Sequence, residues 1–188
     1  VIHPGGSMRD QEVIDAAEMV DKIKAAVDAR RDADFLVMAR TDARSTQSFE
    51  ATIERAQRYS EAGADILFVE ALESQEEVRR LPQLVDKPQL MNLVIGGKTP
   101  IFNAQELGAL GFGFVLYANA ALQGAVAGMQ KTLTVLRDEK EVQEDPQLVT
   151  PFKERQRLVN KPFWDGLEKK YGSCLLYTSD AADDLLCV

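Results

Sequence analysis

Short apolar runs begin near residues 35, 65, 89 and 114, and the intervals of about 25 to 30 residues between them carry helical patterns. Hairpin connections are far shorter than this, whereas parallel strands need a crossover of a dozen or more residues, usually a helix. The spacing therefore predicts an α/β chain of βα units with parallel strands over 35–39, 65–69, 89–94 and 113–117. Three of the runs end in a polar group. Phe35-Leu-Val-Met-Ala-Arg40 stops at a cation, Asp65-Ile-Leu-Phe-Val-Glu70 at an acid, and Gln89-Leu-Met-Asn92 at an amide.

In parallel α/β architectures the helices cover the sheet and only the carboxyl ends of the strands open to a crevice. Arg40, Glu70 and Asn92 are thus candidates to converge on one small polar ligand, most simply a carboxylate with a neighbouring hydroxyl or carbonyl. A guanidinium can meet such a carboxylate with two parallel charge-assisted hydrogen bonds. The same residues also fit a structural reading, in which Arg40, Asp42 and Glu70 form an ion pair closing the end of the sheet.

Between the strands, Val13, Ala17, Val20, Ile23 and Val27 recur at helical spacing from Glu12 to about Arg31. Ser48 is placed to cap a second helix, with Ile53, Ala56 and Tyr59 or Ser60 inside and Gly63 at its end. Ser74 and Glu77 have capping-box spacing for a third, and Asn103 and Glu106 for a fourth that Gly111 closes. A longer helix over Ala120–Arg137 is expected to turn Leu122, Val126, Met129, Leu133 and Leu136 inward. Residues 151–171 read as a helical tail whose Phe152, Phe163, Trp164 and Tyr171 want a partner surface.

The composition bounds the function. The chain has 188 residues, 45% of them hydrophobic, and a net charge of −8. An acidic chain of this kind is a poor match for nucleic acid or anionic membrane, both of which need clustered cations. No run reaches the ~20 apolar residues of a membrane span, and the start lacks a signal-peptide pattern, so a cytoplasmic protein is expected. Cys174 and Cys187 both fall in the last fifteen residues, which excludes a disulfide framework for the body. Gly96-Gly97-Lys98-Thr99 is not a phosphate-binding loop, because Asn92 stands where such a loop needs its first glycine and Pro100 follows at once.

Four linked motifs carry a resemblance: Ala39-Arg40-Thr41-Asp42-Ala43, Phe68-Val69-Glu70-Ala71, Asn92 with Gly97-Lys98-Thr99-Pro100, and Leu116-Tyr117. In order and spacing they resemble the isocitrate lyase and phosphoenolpyruvate mutase superfamily over roughly residues 12–170. The similarity is greatest to its small bacterial branch of 2-methylisocitrate lyase, dimethylmalate lyase and carboxyphosphonoenolpyruvate phosphonomutase. The resemblance implies a (β/α)8 barrel of which the four strands are the second half, since a full barrel takes eight strands and usually about 250 residues.

By the same resemblance, Arg40 binds a substrate carboxylate, Glu70 meets substrate or the water shell of a Mg2+ cofactor, and Asn92 with Leu93 and Val94 contacts substrate. Asp42 is expected to be structural. The family's paired metal-binding aspartates and its catalytic cysteine loop are not found in the sequence, so the catalytic residue is unassigned and His3 is not put in its place. The activity implied for a complete barrel is Mg2+-dependent carbon–carbon cleavage of a small 2-hydroxy di- or tricarboxylate, releasing a keto acid. A phosphonomutase is the alternative, and a half-barrel acting only in binding or assembly is another. Gln123 stands where the methylisocitrate branch has a substrate-binding Arg, and Tyr117-Ala118 departs from a common Tyr-Pro; the first of these favours a smaller diacid. Arg155 is a loose candidate for a second carboxylate contact. A homo-oligomer is implied, as C-terminal helices in the family commonly pack on a neighbouring subunit.

The expected organisation is a flexible lead-in at 1–11, a partial barrel at 12–137, a charged linker and C-terminal helix at 138–172, and an adaptor-like, non-native stretch at 173–188.

Overall fold

A computed structural model describes residues 13–172; the lead-in and the adaptor-like stretch expected from the sequence lie outside the described residues. Four strands, β1 (Met38–Thr41), β2 (Ile66–Val69), β3 (Gln89–Asn92) and β4 (Phe114–Leu116), form one sheet in sequence order. Every pairing is parallel: Arg40 lies beside Phe68, Phe68 beside Leu90, and Leu90 beside Phe114. The parallel α/β architecture expected from the spacing is therefore the one observed, and its four strands match the half-barrel that the resemblance implies. Helix α1 (Ala16–Ala29) precedes β1, and α2 (Phe49–Glu61), α3 (Gln75–Leu84) and α4 (Ala104–Leu110) occupy the three crossovers. Helix α5 (Ala120–Glu139) follows β4, and α6 (Phe152–Leu158) and α7 (Lys161–Tyr171) end the described chain. The chain divides into two units, one reaching Gln123 and the other beginning at Gly124.

In the first unit, the strand residues that face the helices are sealed in the core: Ala39, Leu67 and Met91 pack with Ile53, Ala56, Tyr59, Val78, Leu81 and Leu107. Alternation along the strands puts Met38 and Arg40, Phe68, Leu90 and Asn92, and Phe114 and Leu116 on the other face. There Met38, Phe114 and Leu116 are all more than 40% exposed.

The caps follow the sequence closely. Ser48 Oγ accepts from Ala51 N, and Asn103 with Glu106 completes a reciprocal capping box. Gly63 stands just beyond α2 with φ of 102°, the left-handed conformation that favours glycine there.

Several expectations need correction. The first strand runs over 38–41 and not 35–39: Phe35 is 67% exposed in a turn closed by its N–H on Asp32 O, and pairing begins only where Met38 meets Ile66. The third strand stops at Asn92, so Leu93 and Val94 lie beyond it. The capping box at α3 is half formed, because Ser74 Oγ accepts from Glu77 N while Glu77 turns its carboxylate to Glu73 N and Arg44. The stripe Leu122, Val126, Met129, Leu133 and Leu136 on α5 is exposed, and α5 buries no residue among the described ones. Finally, the tail is two helices. Asn160 adopts φ of 52° between them, and Pro162 opens α7. The tail's aromatic residues stay exposed, apart from an edge-to-face contact of Phe163 with Trp164 and the Trp164 N–H donated to Val159 O.

Candidate active site

Arg40 is the penultimate residue of β1, on the uncovered face, and its guanidinium lies 4.7 Å over the ring of its cross-strand neighbour Phe68. Beyond the strand, Asp42 adopts a compact conformation (φ −105°, ψ 14°) as the chain enters a single 3-10 turn at Ala43–Ser45. That bend brings its carboxylate back beside Arg40. Arg40 Nε donates to Asp42 Oδ2 at 2.9 Å and Nη2 to Oδ1 at 2.7 Å. The pairing with Asp42, opposed by burial and reinforced by Glu70, holds Arg40 above its ordinary pKa, so its charge is permanent.

Glu70 follows the last residue of β2, and its N–H on Thr41 O at 2.9 Å extends the strand pairing by one step. Its Oε2 forms a 3.2 Å ion pair with Arg40 Nη2 and accepts from Asn92 Nδ2, also at 3.2 Å. The three strand-tip residues singled out from the sequence are therefore joined directly, with Glu70 in the middle. An ionised carboxylate only accepts hydrogen bonds, so the Asn92 amide must turn its nitrogen to Glu70. Asn92 Oδ1 is left buried without a partner among the described residues.

The two residues after Asn92 behave differently from it. Leu93 is fully buried and gives its N–H to Leu116 O at 2.7 Å, so its side chain supports the strand tip from the core. Val94 is half-buried, and its carbonyl accepts from Gly97 N at 2.9 Å. Gly96 occupies φ of 81° in that turn, and a Cβ at Gly97 would come within 3.0 Å of Val94 O. Two glycines are thus needed for the chain to reverse here. Gln123 Nε2 donates to Ile95 O at 3.2 Å, tying this loop to the start of α5. Arg155 stacks on Phe152 within α6.

Two features escaped the sequence reading. Phe68 gives Arg40 its platform, a role visible only once the register is known. Arg44, on the 3-10 turn, bonds Glu77 and Glu73 and so links the loops after β1 and β2. Glu77 first, then Glu73, raises the Arg44 pKa against the effect of burial.

The fork expected of Arg40 is already in use. Asp42 takes its side-on edge, which leaves Nη1 as the nitrogen without a partner among the described residues. The carboxylates fit a divalent cation poorly: both Asp42 oxygens face Arg40, and Glu70 Oε2 is shared by a cation and an amide. No group of three or more His, Cys, Asp or Glu side chains among the described residues could hold a metal ion. Glu70 could meet a magnesium-bound water only through Oε1.

A profile of the phosphoenolpyruvate phosphomutase family matches residues 4–137. The chain is 42% identical over 134 residues to the 2,3-dimethylmalate lyase of Eubacterium barkeri, covering 71% of this chain and 46% of that protein. It is 40% identical over 134 residues to the 2-methylisocitrate lyase of Salmonella typhimurium, covering 71% and 45%. The chain thus spans less than half the length of these relatives. A crystal structure of 2,3-dimethylmalate lyase superimposes with a TM-score of 0.78 at 30% identity, over 92% of this chain and 58% of that one.

Proposed function

The chain belongs to the phosphoenolpyruvate phosphomutase family, in the isocitrate lyase and phosphoenolpyruvate mutase superfamily, and from that premise we propose that it contributes the carboxylate-binding strand tips of a carbon–carbon bond lyase. The proposed substrate is a small 2-hydroxy dicarboxylate, and the product a 2-keto acid. The observation that carries the reading is the direct linkage of Arg40, Glu70 and Asn92 at the carboxyl ends of adjacent parallel strands.

In this reading Arg40 takes a substrate carboxylate on its Nη1 edge, while Asp42 fixes the plane of the guanidinium. Cleavage removes the proton from the 2-hydroxyl, forms the keto C=O, and passes the carbon–carbon bonding pair to the second product as an enolate. A fixed cation that needs no reorganisation stabilises such charge. Asn92 Oδ1, an orphaned acceptor, is the atom to which a substrate O–H would bring a donor once the amide opens toward the crevice. Gln123, engaged with Ile95 O, offers no cation, which favours a diacid over a tricarboxylate. Magnesium, the proposed cofactor, would supply further charge stabilisation when bound. The described residues do not build its site.

The partners proposed are the small carboxylate and further copies of the chain, with neither nucleic acid nor membrane. No described helix is long and apolar enough to cross a membrane. The test joins this chain to the amino-terminal half-barrel of a relative and couples release of keto acid to a dehydrogenase. Turnover of a 2-hydroxy diacid is expected, with kcat/KM lowered on the order of tenfold or more by Arg40→Lys, since an ammonium cannot hold Asp42 and substrate together. Failure of every such diacid, with turnover of a phosphonate instead, would favour the mutase alternative. Turnover by the 188-residue chain alone would refute a site that residues outside it must complete.

A further inference from the structure

Directly after Glu70, Ala71 adopts φ of 64°. A left-handed backbone costs free energy for any residue with a Cβ, and it persists only where the surroundings over-determine it. Here the turn sits in the short link, Ala71-Leu72-Glu73, between the hub of the candidate site and the cap of α3 at Ser74. Downstream, Leu72 is anchored in the core at 1% exposure, and Glu73 N donates to Glu77 Oε2 at 2.8 Å. The other oxygen of Glu77 accepts from Arg44 Nε at 3.1 Å, and Arg44 also contacts the Glu73 carboxylate and donates to Gln47 O. Upstream, Glu70 N is held on Thr41 O. The strained residue is therefore clamped on both sides.

The contacts of Arg44 and Glu77 are well protected. Their side chains are 18% and 13% exposed, whereas that of Glu73 is 53% exposed. Arg44 is carried by the turn that follows Asp42, and Glu77 by the first turn of the helix that follows Glu70. One ion pair thus spans the two loops that present Asp42 and Glu70 to Arg40.

We propose that Arg44 and Glu77 are positioning residues of the candidate site, which hold the left-handed turn at Ala71 and so aim the Glu70 carboxylate at Arg40 and Asn92. The inference deepens the substrate-site reading, but its test involves no substrate, so the two can fail separately.

The readout is the Asn92 side-chain amide in the NMR spectrum of the 188-residue chain carrying Met38→Lys and Phe114→Lys, which keep a second copy off the sheet face, because Nδ2 donates to Glu70 directly. Glu77→Ala is expected to accelerate exchange of those amide protons with solvent on the order of tenfold, the scale of losing the support of one strained residue. Adding Ala71→Gly to Glu77→Ala should recover much of that loss, since glycine adopts the left-handed turn without strain. A helix-stabilising role of Glu77 alone would lower stability without moving the Asn92 signal and without rescue by glycine. An unchanged Asn92 signal in Glu77→Ala, or a larger loss in the double variant, overturns the proposal. If Glu77→Ala does not fold, Glu77→Gln and Arg44→Lys carry the same test. Glu77→Gln keeps an oxygen for Glu73 N but removes the charge that holds Arg44, and an unmoved Asn92 signal in both variants is equally fatal.

Discussion

Arg40 meets Asp42 side-on, with Nε and Nη2 donating to the two carboxylate oxygens at 2.9 and 2.7 Å. The two residues are only two apart in sequence, and the 3-10 turn after β1 folds the acid back onto the base. Asp42 is only 8% exposed, so the pair lies in surroundings that strengthen it. The same pair leaves the outer edge of the guanidinium for a ligand.

Asp42→Asn keeps the shape but turns an N–H2 group toward a donor. The unfolding free energy should fall by about 1–3 kcal/mol, the range for hydrogen bonds to charged groups and orphaned buried polar atoms. Urea denaturation of the variant and the parent measures this. Equal midpoints would show that the pair contributes nothing and that Arg40 is held by Phe68 and Glu70 alone.

Much of this was legible in the sequence, for physical reasons that differ by element. Ser48, Asn103 and Gly63 announced helix ends because capping is a local hydrogen-bonding matter that a few residues decide. The parallel order followed from spacing, since a hairpin cannot hold a crossover helix. Strand starts were less legible: Phe35 and Leu36 extend an apolar run, yet an apolar pair enters a strand only if a neighbour is there to pair with it, and the ladder begins at Met38. The partner of Arg40 was legible, because Asp42 is near in sequence. The roles of Arg44 and Glu77 were hidden, since they are 33 residues apart and a capping-box pattern gave Glu77 another use. The apolar stripe of α5 shows the limit of periodicity, which marks a face but not whether anything covers it.

At the opposite ends of the strands, Asp65 accepts from Val37 N and from Arg30 Nη1, each at 2.8 Å. The Val37 hydrogen bond first, then Arg30, holds the Asp65 carboxyl below its ordinary value of 3.8. With the folded value depressed, the unfolded chain binds more protons in this range, so stability rises with pH. The contribution is complete above about pH 5 and is lost as pH falls through 3.8 and then through the lower folded value. Asp65→Asn should therefore flatten the acid limb of a plot of urea midpoint against pH while leaving its neutral limb parallel to the parent's. An acid limb unchanged in slope would show that other carboxylates set it.

Gln89 is a strand residue with a helix's duty. It is 1% exposed, and its Nε2 donates to Val85 O at 3.1 Å and Leu81 O at 3.4 Å, covering carbonyls at the end of α3. Its Oε1 is buried without a partner among the described residues. Gln89→Met preserves length and volume, removes the orphaned oxygen, and leaves two buried carbonyls without their donor. The second effect is larger, and a net loss of about 1 kcal/mol is expected, read as a lower urea midpoint at unchanged m-value. A variant as stable as the parent would mean that water already serves those carbonyls.

One face of the sheet carries no helix of the first unit among the described residues. Parallel sheets occur almost only with both faces covered, yet Met38, Phe114 and Leu116 stand exposed on the side away from the helices. β1 and β4 are also the two edges of the sheet, each with one side unpaired among the described residues. Unpaired edges are templates for another chain, and here they flank an apolar surface that favours burial. The 188-residue chain is therefore expected to self-associate through this face. Sedimentation velocity over a range of concentrations should show assembly well below about 100 μM, an affinity within reach of an apolar interface. Met38→Lys and Phe114→Lys place a charge at each edge and should return the chain to monomer at the same concentration with helix content unchanged. A parent chain that stays monomeric throughout would show that the face is stable in water, and association that survives both lysines would place the contact elsewhere.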